Sequence, residues 1–408
     1  MLIVTFLLLF FGLVFSFFMP RANPFKYYFG MWLLIVTLYL FSYDDWLRVD
    51  GYAYMTIIIS TSFILLLMPF YYYFINNLKC PSDVPVWGGM QYYVLDIFLL
   101  ITVVLLPFCI MKGSTIAGES VFSPIGYMKL RHSLVFDGSS FGIYAYVASL
   151  SMVIASVSCY SYFYIGSKRL YLTLLSVIVS ILYCVMMTGR TYFLLLMCLV
   201  FIPLIIKGKI KLYHQVIVTI VTLCFFVIVS LVMGKGGDID STFSSNVYSM
   251  IENLRSYTVA PFVAFSELIK STNFNSEYNE TKYIFRTFYA VMHSLGIYDG
   301  NIVDLVREYS YTPYPTNVYT VFGLYYRDFG LICFIFPAIF MLFHLSLYVS
   351  AIKGKEICVF LYSASVYPLL MQFFQDQYFS LLSKWIQVCL FYVLFTLDYR
   401  KVLKWIIK

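Results

Sequence analysis

The sequence predicts an all-α, polytopic integral membrane protein of about 11–12 transmembrane helices, with one large helical loop standing outside the bilayer. Three observations carry this expectation. Of 408 residues, 62% are hydrophobic and only 12% charged, against roughly 25% charge in globular chains. The apolar runs are continuous stretches of about 20 residues, long enough to cross about 30 Å of hydrocarbon, and they lack the period-two alternation of a transmembrane barrel. From Met233 to Gly330, in contrast, polar residues take over for about a hundred positions of an otherwise lipid-soluble chain, which is where chemistry is expected.

In chain order, the apolar runs place spans near 2–19, 27–42, 52–75, 91–111, 141–164, 170–187, 191–206, 214–234, 327–350, 356–374 and 380–397. The first run lacks a basic leader and a small-residue cleavage site, so it reads as a retained span. Three blocks follow: about eight spans over 1–234, a loop or cap over 235–326, and about three spans over 327–408. Alternate connections carry Arg21 and Lys26, Lys79, Lys168 and Arg169, Lys207, Lys209 and Lys211, Lys353 and Lys355, and the basic tail from Arg400 to Lys408. The positive-inside rule makes that side cytoplasmic and puts the N-terminus outside, with the long loop facing outward. All nine cysteines fall in spans or in a cytoplasmic connection, as an oxidising exterior favours. The net charge of +7 is scattered among apolar spans and does not form a nucleic-acid-binding face. No internal repeat stands out, which argues against an inverted-repeat transporter.

Within the loop, Met250, Leu254, Val259, Phe262, Phe265 and Leu268 recur at helical spacing over 246–269, with Pro261 as a break or kink. A second short helix is expected over Tyr283–Leu295, a polar turn over 271–281, and an extended path around Pro313 and Pro315.

Arg190 follows Thr188 and Gly189 and opens a span at its outward end. A helix N-terminus offers free amides and partial positive charge, so an arginine there either completes a phosphate site or snorkels to lipid headgroups. Arg131, Arg255, Arg286 and Arg327 share the outward side with it. Guanidinium forks suit a diphosphate, and solvated loop charge is the plain alternative for each. Lys384 lies about one turn inside the last span, where a cation faces a polar cavity or snorkels. Asp96, toward the cytoplasmic half of its span, reads as a packing or capping group. Tyr309, Tyr311, Tyr314, Tyr319, Tyr325 and Tyr326 crowd the loop's end; they suit a sugar groove, and they equally suit a membrane interface in a chain with 39 tyrosines. Asp328, at the mouth of a span, is placed either to orient or deprotonate a sugar hydroxyl or to pair with an arginine. His293 is a second candidate base or a surface histidine. There is no GxxxxGK[ST] loop, no calcium-loop pattern, and too few outward His and Cys for a zinc cluster; the expectation is a metal-independent reaction with no cofactor.

The run Thr316-Asn317-Val318-Tyr319-Thr320-Val321-Phe322-Gly323-Leu324-Tyr325-Tyr326-Arg327-Asp328-Phe329-Gly330, leading from the loop into a span, resembles the bacterial O-antigen polymerases. So do Thr188-Gly189-Arg190-Thr191 and the stretch from Tyr257 to Phe265 around Pro261. The resemblance implies a glycosyltransferase of lipopolysaccharide biosynthesis in the bacterial inner membrane, with its site facing the periplasm. Such an enzyme moves a growing glycan from undecaprenyl pyrophosphate onto the non-reducing end of a new lipid-linked repeat unit. Many members are described with about twelve spans and an inward N-terminus, from which the eleven spans counted here depart. Implied partners are the lipid-linked oligosaccharides, membrane lipids, and a chain-length regulator and flippase of the same pathway, with no nucleic acid. Mapped onto this chain, Arg190, Arg131 and Arg286, with Arg255 and Lys384, bind diphosphate; Asp328 positions or activates the acceptor; Asn317, Tyr325, Tyr326 and His293 line the sugar path. The rival readings are an O-antigen ligase using the same donor, and a flippase or other transporter.

Overall fold

The computed structural model describes residues 1–77, 92–210, 243–271, 282–304 and 307–396. The span expected at 214–234, the turn over 272–281, Lys79, Lys211 and the basic tail lie outside the described residues. Helix dominates. Five helices are long and apolar enough to cross a membrane among the described residues: Pro24–Phe41, Gly51–Asn76, Tyr92–Ala117, Ile143–Phe163 and Thr320–Ile352. Five shorter apolar helices accompany them, at Leu2–Ser16, Leu170–Met186, Thr191–Ile206, Glu356–Leu370 and Leu382–Thr396. Each matches an apolar run in the sequence, as an all-α membrane protein requires: in hydrocarbon the backbone must satisfy its own hydrogen bonds.

Contacts divide the chain into two compact units, each assembled from distant stretches. The first comprises Met1–Pro81, Ile251–Lys353 and Ser365–Leu382; the second comprises Ser82–Met250, Gly354–Ala364 and Ser383–Lys408.

In the first unit, α1 (Leu2–Ser16), α2 (Pro24–Phe41) and α3 (Gly51–Asn76) open the fold. Asn23 caps α2 by accepting the Lys26 amide, and Asp50 caps α3 through the Tyr52 amide. The helix Phe243–Ser271 continues through Pro261. A proline inside a helix removes one hydrogen bond and costs about 3 kcal/mol. Here Val259, Ala260, Phe262, Val263, Ala264 and Phe265 are all fully buried, and that packing outweighs the local penalty, so of the expected break or kink no break occurs. Phe262 meets Tyr39 edge-on at 5.7 Å, and Phe265 stacks on Phe322 at 5.6 Å. The loop helix is therefore part of this unit's hydrophobic core.

Beyond it come a nine-residue helix, Arg286–Ser294, and a small antiparallel ladder pairing Ser310–Tyr311 with Pro315–Thr316. The helix Thr320–Phe329 follows. Gly330, at φ +60°, and a 3-10 turn over Gly330–Phe334 separate it from the apolar helix Ile335–Ile352. Left-handed φ is cheap for glycine alone, so the break falls there.

In the second unit, Ile143–Tyr160 is the central helix. Its residues from Val147 to Tyr160 are all buried, and Ser and Ala among them let neighbouring helices approach closely. Tyr92–Ala117, Leu170–Met186 and Arg190–Ile206 pack around it. The stretch expected as the open loop 112–140 instead carries a 12-residue helix, Pro124–Val135, started by Ser123, which accepts the Gly126 amide, and by Pro124 in the first turn. Asp96 pairs with Arg169 within this unit.

Candidate functional site

A cavity of about 170 Å³ opens in the first unit where the end of the loop meets the helix Thr320–Phe329. One water needs only about 10–15 Å³ of such volume, so there is room for a ligand group. Its walls come from two stretches far apart in sequence, Tyr283 to Arg327 and Gln375 to Leu381.

Three arginines, Arg286, Arg307 and Arg327, line the cavity. Arg286 is the first residue of its helix and donates from Nε to the Val303 carbonyl at 2.7 Å. Arg307 donates from Nη1 to the Asp304 carbonyl at 2.6 Å, and its guanidinium lies 4.7 Å from the centre of the Tyr283 ring. Arg327 lies against the rings of Tyr319, at 5.0 Å, and Tyr283, at 5.5 Å. Among the described residues, no carboxylate lies within 4.0 Å of any of the three guanidiniums. Burial, followed by the charge of Arg327, presses Arg307 below the ordinary arginine range. Aromatic faces and backbone carbonyls hold these cations in place; Asp328 offsets part of the Arg307 charge from beyond ion-pair distance, and an anion in the cavity would relieve the remaining repulsion among them.

The other wall is built around Asp376, which is 1% exposed. Its Oδ1 accepts the Tyr325 phenol at 2.7 Å and the Tyr378 amide at 3.2 Å; its Oδ2 accepts the amides of Phe379 and Ser380, each at 3.0 Å. Burial pushes this carboxyl up from the ordinary range while those donors pull it down. The Thr320 and Val321 amides donate to the carbonyls of Phe374 and Gln372, at 3.0 and 2.7 Å, so the wall segment caps the start of the helix. Thr320 itself sits at φ +60°, a region that costs a β-branched residue on the order of 1–3 kcal/mol and that the surrounding bonds enforce.

Of the residues singled out from sequence, Arg286, Arg327 and Asn317 line this cavity, and so does Tyr319 from the tyrosine cluster. Asp328 stands behind the wall, 3% exposed, with Oδ1 accepting the Tyr283 amide at 3.2 Å and Oδ2 the Ile284 amide at 2.8 Å. Tyr325 is fully buried and stacked on Phe336 at 4.2 Å, and Tyr326 packs edge-on against Phe265. Arg255 pairs with Asp45. His293 is exposed near the end of its short helix. None of these five lines the cavity. Arg307 and Asp376 were missed. Arg307 sits between Asp304 and Glu308 and reads as solvated charge, and Asp376 lies in what reads as a short connection between spans.

Arg131, Arg190 and Lys384 belong to the second unit. Arg131 donates to the Thr188 carbonyl at 3.2 Å. Thr188 holds φ +51°, Gly189 precedes the helix, and Arg190 is its first residue, so a helix starts at Arg190 as expected. Lys384, 9% exposed, donates to Ser149 Oγ at 2.7 Å and lies 4.5 Å from the centre of the Tyr192 ring. The structure thus joins Arg131 to the turn before Arg190, and Lys384 to the first turn of the same helix.

No family model, no curated protein and no solved structure matches this chain.

Proposed function

We propose that this chain is an O-antigen polymerase of the bacterial inner membrane, a polytopic protein whose long loop and reaction site face the periplasm. The observation that carries the reading is the cavity with three converging guanidiniums, no ion-paired carboxylate, and the neutral polar groups of Asn317, Thr320 and Ser380 alongside. In glycosyl transfer from a lipid pyrophosphate, a bond forms between the acceptor hydroxyl oxygen and the donor's anomeric carbon. The bond from that carbon to the phosphate oxygen breaks, the diphosphate leaves with the electron pair, and the hydroxyl's proton passes to an oxygen of the departing diphosphate or to water. Negative charge grows on the departing diphosphate, and preorganised arginines stabilise it without reorganising.

Arg286, Arg307 and Arg327 bind that diphosphate, and Asn317 and Tyr319 contact sugar. Asp328 acts by position: it holds the backbone from which Arg286 projects, next to Arg327 on its own helix. Arg131 and Lys384, which meet the turn before and the first turn of the helix that Arg190 opens, bind with Arg190 a second diphosphate, as suits a reaction whose acceptor also arrives on a lipid diphosphate.

The test incubates purified protein with synthetic undecaprenyl-pyrophosphate repeat units in the absence of nucleotide sugars. A ladder of lengthened glycans supports the reading. Transfer only to lipid A-core would make the protein a ligase, and movement of substrate across a vesicle bilayer without new glycosidic bonds would make it a flippase.

A further inference from the structure

Under the cavity wall runs a chain of buried polar groups that the diphosphate site does not use. His344, in the middle of the apolar helix Ile335–Ile352, is fully buried with both ring nitrogens engaged: Nδ1 meets Ser365 Oγ at 3.0 Å and Nε2 meets the Tyr378 hydroxyl at 2.8 Å. Gln372 donates from Nε2 to that same hydroxyl at 3.3 Å, and its Oε1 accepts the indole N–H of Trp32 at 3.2 Å. The ring of Tyr378 stacks on Phe340 with centres 3.9 Å apart.

A buried imidazole is a costly way to fill space, since any nitrogen left without a partner carries its full desolvation penalty. What it provides is direction, because the partners must stand at set positions. Asp376 fixes the 376–380 turn internally, but such a clamp is local and does not anchor the turn to the helices around it. Besides Tyr325, two side chains of the turn make that tie: Gln377, whose Oε1 accepts the Tyr367 hydroxyl at 2.9 Å, and Tyr378, which alone reaches His344 on the helix Ile335–Ile352; the next two residues, Phe379 and Ser380, face the cavity.

We propose that His344 and Tyr378 are positioning residues for the site: their hydrogen bond seats the 375–381 wall against the helix Ile335–Ile352, and so sets where Phe379 and Ser380 meet the bound substrate. The catalytic half of this inference rests on the polymerase reading, while the structural half does not.

The test uses full-length protein in detergent or nanodiscs, with Tyr378→Phe, which keeps the ring and deletes the hydroxyl, and His344→Asn, which keeps a polar group beside Ser365 and withdraws the atom facing Tyr378. Two quantities are read: hydrogen exchange at the Phe379 and Ser380 amides, and kcat and KM for elongation of the synthetic repeat units. Both variants are expected to exchange these amides about tenfold faster than wild type while exchange in the helix Gly51–Asn76 stays the same. Elongation kcat is expected to fall about thirtyfold with KM within about threefold of wild type, the signature of lost alignment as opposed to lost binding. Unchanged exchange in both variants overturns the inference, and so does faster exchange with kcat intact. A wild-type protein that makes no ladder would overturn the polymerase reading instead, and the exchange comparison would still decide whether the anchor exists.

Discussion

The carboxylate of Asp328 accepts the amide of Ile284 at 2.8 Å across 44 residues of chain, so the residue beside Arg327 holds the backbone that leads into Arg286. Two of the three cavity arginines are thereby spaced by one side chain. Asp328→Ala leaves two amides without their acceptor, at a cost of about 1–3 kcal/mol for each that stays dry. The expected result is a lowered unfolding midpoint in detergent together with loss of elongation. Asp328→Asn keeps one acceptor oxygen and should retain elongation within about fivefold; a near-total loss with normal stability would make Asp328 the base.

Replacing Arg307 or Arg327 with alanine should lower kcat/KM for elongation by about 10–100-fold each, the equivalent of one charge-assisted hydrogen bond of about 1.5–3 kcal/mol. Lysine at Arg327 should recover only part of this, because an ammonium cannot make the fork contact or lie flat on Tyr319 and Tyr283. Inorganic pyrophosphate as a competitive inhibitor gives an independent readout, and its inhibition constant should rise in all of these variants.

Arg190→Ala should abolish long-chain glycan in cells while leaving single-repeat product and protein level intact. Arg131→Ala removes the bond to the Thr188 carbonyl and should weaken chain extension in the same direction. Gel profiles of lipopolysaccharide from complemented deletion strains check both.

Arg255 serves as the contrast. It pairs with Asp45 at a site where Asp45 is 60% exposed, and exposed ion pairs contribute about 0–1 kcal/mol. Arg255→Ala should give a normal product ladder, and loss of that ladder would extend the anion site beyond the cavity.

The helices were legible because an apolar run of span length has one stable solution in hydrocarbon. Where tertiary packing decided, local signals fell short: of the break or kink that Pro261 signals, the break does not occur, the helix continuing with Phe262 and Phe265 buried, and the loop before Phe141 hides a helix begun by Ser123 and Pro124. The cavity was half legible. Arg286, Arg327 and Asn317 stood out for their chemistry, whereas Tyr325, chosen as a sugar contact, spends its hydroxyl on Asp376. That pairing spans 51 residues, and the Trp32–Gln372 bond spans 340; no local pattern reports such partners, so the polar network was invisible from sequence.

Because the pocket is walled by two stretches with the helices Ile335–Ile352 and Glu356–Leu370 between them in sequence, it cannot be transplanted as a single cassette. A chimera given only residues 243–334 of this chain would inherit the guanidiniums and leave Asp376, Phe379 and Ser380 to the recipient. Exchanging product linkage between two such enzymes therefore calls for moving both stretches together, and hybrids that carry one of them should be folded but idle.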